Sequence, residues 1–267
     1  STSLAATMLA TLVDLVEAEP ARLAQLRSLR SLAYGAAPMP TPLLRRADSL
    51  LGVEFAQGYG MTELSGNAVF LNAAAHRRGL EGESGLLEAA GEPAPGVELR
   101  LVDDDDNDVA EGEVGEILVR AAQVMKEYLN DQEATDDALR GGWLHTGDMG
   151  RLVGGLLYVV DRKKDIIITG GENVSSLEVE TAVLEHPNVA RVAVVGVPDP
   201  KWGENVCAVV VATPGLEIDT AEIVAFVRQK LAGFKVPRHI VVVDELPVTG
   251  SGKVVKAEIR ERLAQNP

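Results

Sequence analysis

The stretch "VEFAQGYGMTE" at residues 53–63 predicts a strand that runs directly into a glycine-rich loop. Before it, "SLRSLAYGAAPMP" (28–40) predicts a second short strand that ends in a Gly/Pro turn. Apolar residues at helical spacing predict one helix from Leu4 to Leu15 and another from Thr41. Because helices and strands alternate here, the sequence predicts a parallel sheet layered with helices.

From about Gly91 the pattern changes to short alternating strands. "GVELRLVDDDDNDVAEGEVGEILVR" (96–120) predicts an antiparallel hairpin around an acidic turn. A calcium loop of the EF-hand type would need glycine and glutamate where Asp108 and Val114 stand. The acidic run is therefore interpreted as a solvated turn.

Beyond Asp161 the sequence predicts helix, strand, strand, helix, strand and helix. Ser175 with Glu178 and Asp219 with Glu222 form capping boxes for two of these helices, and Gly233 is expected to close the second. The domain boundary is placed near "DRKKD" (161–165). Residues 1–160 form the first domain, layered over about 1–85 and rich in strands over about 86–160, and residues 161–267 form a compact α+β domain.

Composition and charge exclude several classes of protein. The 267 residues carry a net charge of −15, which argues against a nucleic-acid partner. The chain has one cysteine, Cys207, and its place in "CAVVVA" indicates a buried structural thiol in a reducing compartment. No apolar stretch approaches the ~18 residues of a membrane span. We expect a cytoplasmic protein, with a homo-oligomeric state left open.

"PVTGSGKVVK" (247–256) looks at first like a phosphate-cradling loop, but its spacing is wrong. A P-loop needs glycine where Pro247 stands and a hydroxyl where Val254 stands. On this stretch alone, Lys253 is a solvated charge beside a flexible turn. A generic P-loop nucleotidase is thereby excluded.

Five separated stretches nevertheless resemble, in order and spacing, the motifs of the adenylate-forming superfamily. They are "YGAAP" (34–38), "QGYGMTE" (57–63), "GWLHTGDMG" (142–150), "DRKKDIIITGGENVSSLEVE" (161–180) and "PVTGSGKVVK" (247–256). This superfamily includes acyl-CoA synthetases, peptide-synthetase adenylation domains and firefly-type luciferases. The resemblance runs the length of the chain but matches only the later part of a family member. The family's early phosphate-binding loop has no counterpart in these residues.

The resemblance implies an α/β plus α+β fold: the remainder of a large layered αβ N-terminal domain with a small β-barrel-like subdomain, followed by a mobile α+β C-terminal domain. It also implies nucleotide contacts. Tyr59 would pack against adenine, Thr62 would offer a hydroxyl to phosphate, and Glu63 would supply a hard oxygen to Mg²⁺. The remaining nucleotide-binding positions of the two loops are Gly35, Ala36, Ala37, Pro38, Gly58, Gly60 and Met61.

Later motifs supply the rest of the implied site. Asp148 would accept the ribose hydroxyls, and Arg162 would meet the ribose and phosphate side. Lys164 resembles the hinge of the mobile domain. Gly170 and Gly171 would let the pantetheine arm of CoA pass. Lys253 matches the catalytic lysine that the mobile domain presents to the substrate carboxylate and the α-phosphate.

Each assignment has a plainer alternative from the residues alone. "YGMTE" could be an ordinary turn at a sheet edge, Lys164 an exposed charge, and the two glycines a simple turn before Ser175. His145 is at least as readily a packed side chain as a substrate contact. "LSGNAVFL" (64–71) could border an acyl pocket or form ordinary core, and Lys256 could bind CoA phosphate or face solvent on a helix.

Two positions depart from the family pattern. Ala121 and Glu127 stand where glycines are usual. Both lie away from the chemistry, and they put local turns in question rather than catalysis.

These assignments together predict an ATP-dependent ligase, most similar to fatty-acyl-CoA ligases. It is expected to activate a carboxylic acid, a fatty acid by this similarity, as acyl-AMP and to transfer it to CoA with the help of Mg²⁺. The 267 residues alone are expected to be nearly inactive. The alternatives are a non-catalytic nucleotide- or partner-binding fragment, an adenylating enzyme with another acceptor, and a luciferase-like oxidase.

Overall fold

The computed structural model describes residues 1–35, 39–250 and 253–265. They divide into two compact units, 1–159 and 160–267. The helices of the first unit are α1 (Ala6–Ala18), α2 (Thr41–Leu51), α3 (Ala73–Leu80) and α4 (Gln132–Ala138). The strands up to the boundary are β1 (Thr2–Ala5), β2 (Ser31–Gly35), β3 (Glu54–Met61), β4 (Gly66–Leu71), β5 (Glu92–Pro93), β6 (Glu98–Val102), β7 (Gly115–Arg120), β8 (Leu144–Val153) and β9 (Leu156–Arg162).

The first sheet has the order β1-β2-β3-β4-β5, with β1, β2 and β3 parallel and the last two strands antiparallel. Leu9, Leu32, Leu44 and Phe55 belong to the buried core shared by this sheet and helices α1 and α2. The predicted mixed α/β layering is confirmed. The expected helix start at Leu4 is wrong, because Leu4 pairs with Tyr34 in the parallel sheet and α1 begins at Ala6.

The second sheet has the order β6-β7-β8-β9 and contains the predicted hairpin of β6 and β7. Among the described strands it is an open sheet rather than a closed barrel. The acidic turn of this hairpin is exposed, and Asp103 Oδ1 accepts hydrogen bonds from the amides of Asp105 and Asn107, each 2.9 Å long. The run is thus a self-capped turn, as expected.

The second unit is built on one mixed sheet. Its strands are β10 (Ile167–Thr169), β11 (Glu172–Val174), β12 (Val189–Asp199), β13 (Gly203–Ala212) and β14 (His239–Val242), and its helices are α5 (Ser176–Leu184), α6 (Thr220–Arg228) and α7 (Lys256–Gln265). The order is β11-β10-β13-β12, with β14 parallel to β13. The predicted caps are present, since Ser175 Oγ accepts from the Glu178 amide and Asp219 Oδ1 from the Ala221 amide.

Two details of this unit differ from expectation. The hairpin β10–β11 precedes the first helix and was not predicted. Helix α6 ends at Arg228, well before Gly233.

Cys207 lies in β13 and is buried, and burial raises the pKa of its thiol to about 11. This agrees with a structural thiol. Within the described ranges, every helix is too short or too polar to traverse a bilayer.

Candidate functional site

Two of the predicted loops follow neighbouring parallel strands. Gly35 at the end of β2 pairs with Gly58 in β3. A Cβ on Gly35 would lie 2.5 Å from the Gly58 carbonyl oxygen, so only glycine permits this close strand approach. Ligands of open α/β sheets bind at such carboxyl ends. Ala36, Ala37 and Pro38 lie outside the described residues, and their assignment stays a prediction.

The hydroxyl of Tyr59 donates a hydrogen bond to Asp148 Oδ2 at 2.8 Å. Tyr59 belongs to β3 of the first sheet and Asp148 to β8 of the second, 89 positions later. Asp148 is only 6% exposed, so a donor at its carboxylate offsets much of the cost of burial. The fold thus brings together the two residues predicted to contact adenine and ribose.

The glycines on either side of Tyr59 are required by strand packing. A Cβ on Gly60 would lie 1.9 Å from the Gly66 carbonyl oxygen, and one on Gly58 would lie 2.2 Å from Asn67 Nδ2. The close backbone approach expected from the sequence is therefore an approach to β4. Their contact with a nucleotide, and that of Met61, stays a prediction.

Thr62 and Glu63 lie in a 3-10 turn that follows β3. Thr62 is exposed and Glu63 is half-buried. The Tyr128 hydroxyl donates to Glu63 Oε1 at 2.9 Å. Burial, together with this hydrogen bond, raises the pKa of Tyr128, so the phenol remains a neutral donor at neutral pH. A carboxylate held in this way fits the hard-oxygen chemistry that Mg²⁺ prefers.

Gln123 braces the same turn. Its side-chain amide donates a hydrogen bond to the backbone carbonyl of Leu64 at 2.9 Å. Its backbone carbonyl accepts one from the Ser65 hydroxyl at 2.9 Å. Sequence reasoning missed both Gln123 and Tyr128. The only signal nearby was the unusual Glu127, and a contact across about 60 positions leaves no local pattern.

The stretch 64–71 is mostly core. Leu64, Ala68, Val69 and Leu71 are buried, whereas Phe70 is exposed. The described structure therefore favours ordinary core over an acyl-pocket wall for this stretch.

His145 is a packed side chain. It is 5% exposed, its Nδ1 makes no hydrogen bond within the described residues, and this atom lies 3.7 Å from Glu116 Oε1. This agrees with the plainer alternative for His145.

In the second unit, Arg162 and Lys164 are exposed; Arg162 precedes a 3-10 turn over Lys163–Asp165, and Lys164 lies within it. The amide of Arg162 donates to Asp161 Oδ1 at 2.7 Å, while Asp161 Oδ2 accepts from the amide and hydroxyl of Ser176. Arg260 of α7 reaches this turn, at 2.6 Å from Asp165 Oδ1. The segment that contains the predicted hinge is therefore attached to the start of α5 and to the middle of α7.

Gly170 and Gly171 form the two-residue turn of the β10–β11 hairpin. Both have positive φ, 61° and 85°, as a type I′ turn requires. The Gly170 amide donates to the Trp202 carbonyl oxygen at 2.7 Å. Their local role is thus a turn, and their contact with CoA stays a prediction.

Lys253 is exposed in the loop between β14 and α7. Its backbone carbonyl accepts a hydrogen bond from the Thr249 amide at 2.8 Å, and Val248 and Val254 form an isolated antiparallel β-bridge. Ser251 and Gly252 between them lie outside the described residues. The loop is thus pinned at its base and presents a cationic side chain to solvent.

The plainer alternative for Lys256, a lysine that faces solvent on a helix, is wrong. Its Nζ lies 2.7 Å from Glu180 Oε1 and 2.6 Å from Ser176 Oγ, with 13% of the side chain exposed. The pair sits where α7 begins, three residues after Lys253. Within the described residues, no cluster of three or more His, Cys, Asp or Glu side chains is arranged to hold a metal.

Comparison with known proteins matches two family models. Residues 1–129 match the AMP-binding enzyme model, and residues 178–253 match the AMP-binding enzyme C-terminal domain. The chain is 44% identical over 233 residues to a feruloyl-CoA synthase of an Amycolatopsis species, covering 87% of this chain and 46% of that protein. It is 40% identical to a fatty acid–[acyl-carrier-protein] ligase of Streptomyces coeruleorubidus, covering 86% of this chain and 44% of that protein.

Among solved structures, the amide bond synthetase McbA from Marinactinospora thermotolerans is similar, with a TM-score of 0.85 and 39% identity. The match covers 98% of this chain and 52% of that structure. The chain thus spans about half the length of the proteins it matches.

Proposed function

The chain belongs to the adenylate-forming superfamily of AMP-binding enzymes, and we propose that the complete protein is an ATP-dependent acyl-CoA ligase. The observation that carries the proposal is the hydrogen bond between Tyr59 and Asp148. It joins, at the carboxyl end of β3, two side chains suited to the adenine and the ribose of one nucleotide. Thr62 and Glu63 follow Tyr59 by three and four residues in the turn after β3, and they are the residues proposed to meet the phosphates and Mg²⁺.

The proposed reaction has two steps. A carboxylate oxygen of the acid attacks the α-phosphorus of ATP, and the bond from that phosphorus to pyrophosphate breaks, which leaves acyl-AMP. The thiol of CoA then attacks the acyl carbon, loses its proton, and displaces AMP. In the first step negative charge builds up on the phosphoryl oxygens, where a positioned cation is most effective.

Each residue has a role in this scheme. Asp148 accepts hydrogen bonds from the ribose hydroxyls, Arg162 contacts the ribose and the phosphates, and Thr62 donates a hydrogen bond to phosphate. Lys253 supplies the ammonium for the first step. Its backbone is held by Thr249 and its side chain is exposed, which suits a group that must enter and leave a site.

Glu63 is the residue that would hold Mg²⁺. Its half-buried carboxylate, oriented by Tyr128, fits an ion that takes carboxylate together with phosphate oxygens. When bound, the ion would neutralise part of the phosphate charge. Gly170 and Gly171 are the proposed passage for CoA.

The acid is proposed to be either an aromatic propenoic acid or a fatty acid, because the similar proteins include a feruloyl-CoA synthase and a fatty-acid ligase. A second candidate function is adenylation with another acceptor, an amine or a carrier-protein thiol. It is favoured by the similarity to an amide bond synthetase and to an acyl-carrier-protein ligase.

The test is a product analysis with the complete protein. ATP and Mg²⁺ are supplied with ferulate or with fatty acids of graded length, first without and then with CoA, and products are identified by mass spectrometry. We expect acyl-AMP with at least one acid and its conversion to acyl-CoA. Acyl-AMP that CoA leaves unchanged but an amine consumes would favour the second candidate. ATP binding without adenylate from any acid would favour a non-catalytic binding module.

A further inference from the structure

Asp148 lies in a bulge of β8, and residues of β7 outside its own sequence motif hold the shape of this bulge. Glu116 of β7 pairs with Met149, and Leu118 pairs with His145. Three residues of β8, Thr146 to Asp148, therefore face the single residue Ile117. Such bulges bend a strand and re-aim a side chain, and they are frequent beside functional sites.

Three hydrogen bonds fix this bulge. The Thr146 hydroxyl donates to the Ile117 carbonyl at 2.7 Å and accepts from the Asp148 amide at 3.1 Å. The Gly147 amide donates to Glu116 Oε1 at 3.2 Å, with Gly147 in the left-handed region at φ 67°. The two amides that set the direction of the Asp148 side chain are thus both held by side chains.

A buried glutamate is an unusual residue for holding the Gly147 amide. It is only 5% exposed, and burying a carboxylate is costly unless polar and charged neighbours compensate. The Gly147 amide at Oε1 and Arg140 Nη2, 3.9 Å from Oε2, supply such compensation, whereas His145 Nδ1 packs 3.7 Å from Oε1 without a hydrogen bond within the described residues. The carboxylate thus has a backbone amide at Oε1 and a guanidinium near Oε2.

We propose that Glu116 is a positioning residue for nucleotide binding: by holding the Gly147 amide, it fixes the bulge that aims the Asp148 carboxylate at the ribose hydroxyls. The inference rests on the proposed function, because it takes Asp148 as the ribose contact. Glu116 itself touches neither substrate nor cofactor. Its removal would therefore act on ribose recognition and leave the rest of nucleotide binding in place.

The experiment compares ATP with 2′,3′-dideoxy-ATP, which lacks both ribose hydroxyls. Dissociation constants for the two nucleotides are measured by calorimetry in the complete wild-type protein and in Asp148→Ala, Glu116→Ala and Glu116→Gln. We expect the wild type to prefer ATP by about tenfold or more, and Asp148→Ala to lose that preference. Glu116→Ala should cut the preference by about threefold or more while the affinity for dideoxy-ATP stays within about twofold.

Two variants sharpen the result. Glu116→Gln keeps an oxygen that can accept from the Gly147 amide, so its preference should stay within about twofold of the wild-type value. Glu111→Ala is the matched control, because Glu111 Oε1 accepts from the Gly154 amide at 2.8 Å in the turn between β8 and β9. It removes the same kind of contact from the same sheet and should leave the preference unchanged.

Each outcome decides the matter. An equal loss of affinity for both nucleotides in Glu116→Ala would show a merely structural role and overturn the inference, as would an unchanged preference. Should Glu116→Ala fail to fold, Glu116→Met takes its place under the same criteria, because it fills the same space without an acceptor for the Gly147 amide. A lost preference in Glu116→Gln would overturn the inference as well. A wild type that binds ATP and dideoxy-ATP equally would overturn the ribose role of Asp148 itself, and the inference with it. Acyl-AMP formation by that same wild type would still uphold the ligase.

Discussion

The Tyr59 hydroxyl and the Asp148 carboxylate meet because two sheets of one unit bring together residues 89 positions apart. A hydrogen bond to a carboxylate in a buried setting both orients it and offsets its desolvation. This hydrogen bond fixes the orientation of the Asp148 carboxylate, as its proposed role at the ribose requires.

Removing the Tyr59 hydroxyl should weaken nucleotide binding. Hydrogen bonds to charged groups contribute about 1.5–3 kcal/mol, so we expect Tyr59→Phe to raise the dissociation constant for ATP by about tenfold. Equilibrium titration of the complete protein measures it. Tyr158→Phe is the control, since Tyr158 packs its ring under Arg151 and has no assigned role in the site. Equal affinities in both variants would contradict the assignment.

Tyr128 should act on the metal rather than on the nucleoside. Its hydroxyl orients Glu63, and losing a hydrogen bond to a ligating carboxylate typically costs 10- to 100-fold in metal affinity. We expect Tyr128→Phe to raise the Mg²⁺ concentration for half-maximal acyl-AMP formation by about tenfold. The measurement is a Mg²⁺ titration at saturating ATP and acid. An unchanged Mg²⁺ requirement would reduce Tyr128 to a packing role in the turn.

Motif residues could be assigned from the sequence because each motif is a short run with fixed spacing. Their supports could not be found in the same way. Tyr128, Gln123 and Glu116 act through contacts 31 to 65 positions away, which depend on how the strands register. His145 shows the converse: it stands inside a motif, yet it is buried against Glu116.

At the scale of elements, the tight fit between β3 and β4 makes a direct prediction. A methyl group on Gly60 would lie 1.9 Å from the Gly66 carbonyl oxygen, so the two strands must separate. We expect Gly60→Ala to lower the free energy of unfolding of the first unit by about 1–3 kcal/mol and to disturb the turn that carries Glu63. Urea unfolding and ATP binding measure the two effects.

Gly233→Ala is the control for this substitution. No heavy atom lies within 4 Å of the added Cβ, and stability should stay within about 0.5 kcal/mol of the wild type. A Gly60→Ala protein as stable as the Gly233→Ala protein would contradict this prediction, because β3 and β4 would then separate without any loss in the free energy of unfolding.

The buried pair of Lys256 and Glu180 predicts a pH-dependent stability. Burial raises the pKa of Glu180, while Lys256 acts to lower it. Breaking a buried pair typically costs about 3–5 kcal/mol, and we expect Lys256→Met to lose about 3 kcal/mol at pH 7. A carboxyl with a raised pKa contributes stability that is present below its unfolded-state pKa and is lost as the pH rises through its folded-state pKa. The loss in Lys256→Met should therefore shrink as the pH falls through the Glu180 pKa, where the carboxyl is neutral.

Hydrogen exchange of the β12 and β13 amides across pH 5–8 measures this effect in the second unit alone. Lys230→Met removes a partly exposed pairing with Glu185 and should cost below about 1 kcal/mol. Adding Glu180→Gln to Lys256→Met should recover much of the loss, because no buried charge then remains unpaired. A pH-independent loss that Glu180→Gln does not relieve would contradict the electrostatic explanation.

Helix starts were predictable because a cap is a local signal, as at Ser175 and Asp219. The three-residue strands of the β10–β11 hairpin were not, since they are too short to show alternation and their Gly-Gly turn was assigned only as a loop. The helix start predicted at Leu4 was wrong for another reason. Leu4 fits a helical pattern equally well, and pairing with β2 decides the matter through contacts that lie 30 positions away.

At the scale of the whole molecule, the chain consists of two units with separate cores. The residues from β2 to β8 that are proposed to bind the nucleotide belong to the first unit, whereas Arg162, Lys164, the Gly170–Gly171 turn and Lys253 belong to the second. In the proposed scheme the second unit supplies the catalytic cation and the passage for CoA. The two half-reactions should therefore differ in their need for Lys253.

The measurement that tests this most directly is the rate of each half-reaction in the complete protein, with and without the Lys253 ammonium. ATP, Mg²⁺ and acid are mixed in a quench-flow apparatus to follow acyl-AMP, and purified acyl-AMP is mixed with CoA to follow thioester. By analogy with the loss of one preorganised donor, Lys253→Ala should slow adenylate formation by about 10²–10³-fold. Thioester formation should slow far less, and Lys230→Ala should match the wild type in both. Adenylate formation at the wild-type rate in Lys253→Ala would contradict the proposed role of this lysine and the two-step scheme built on it.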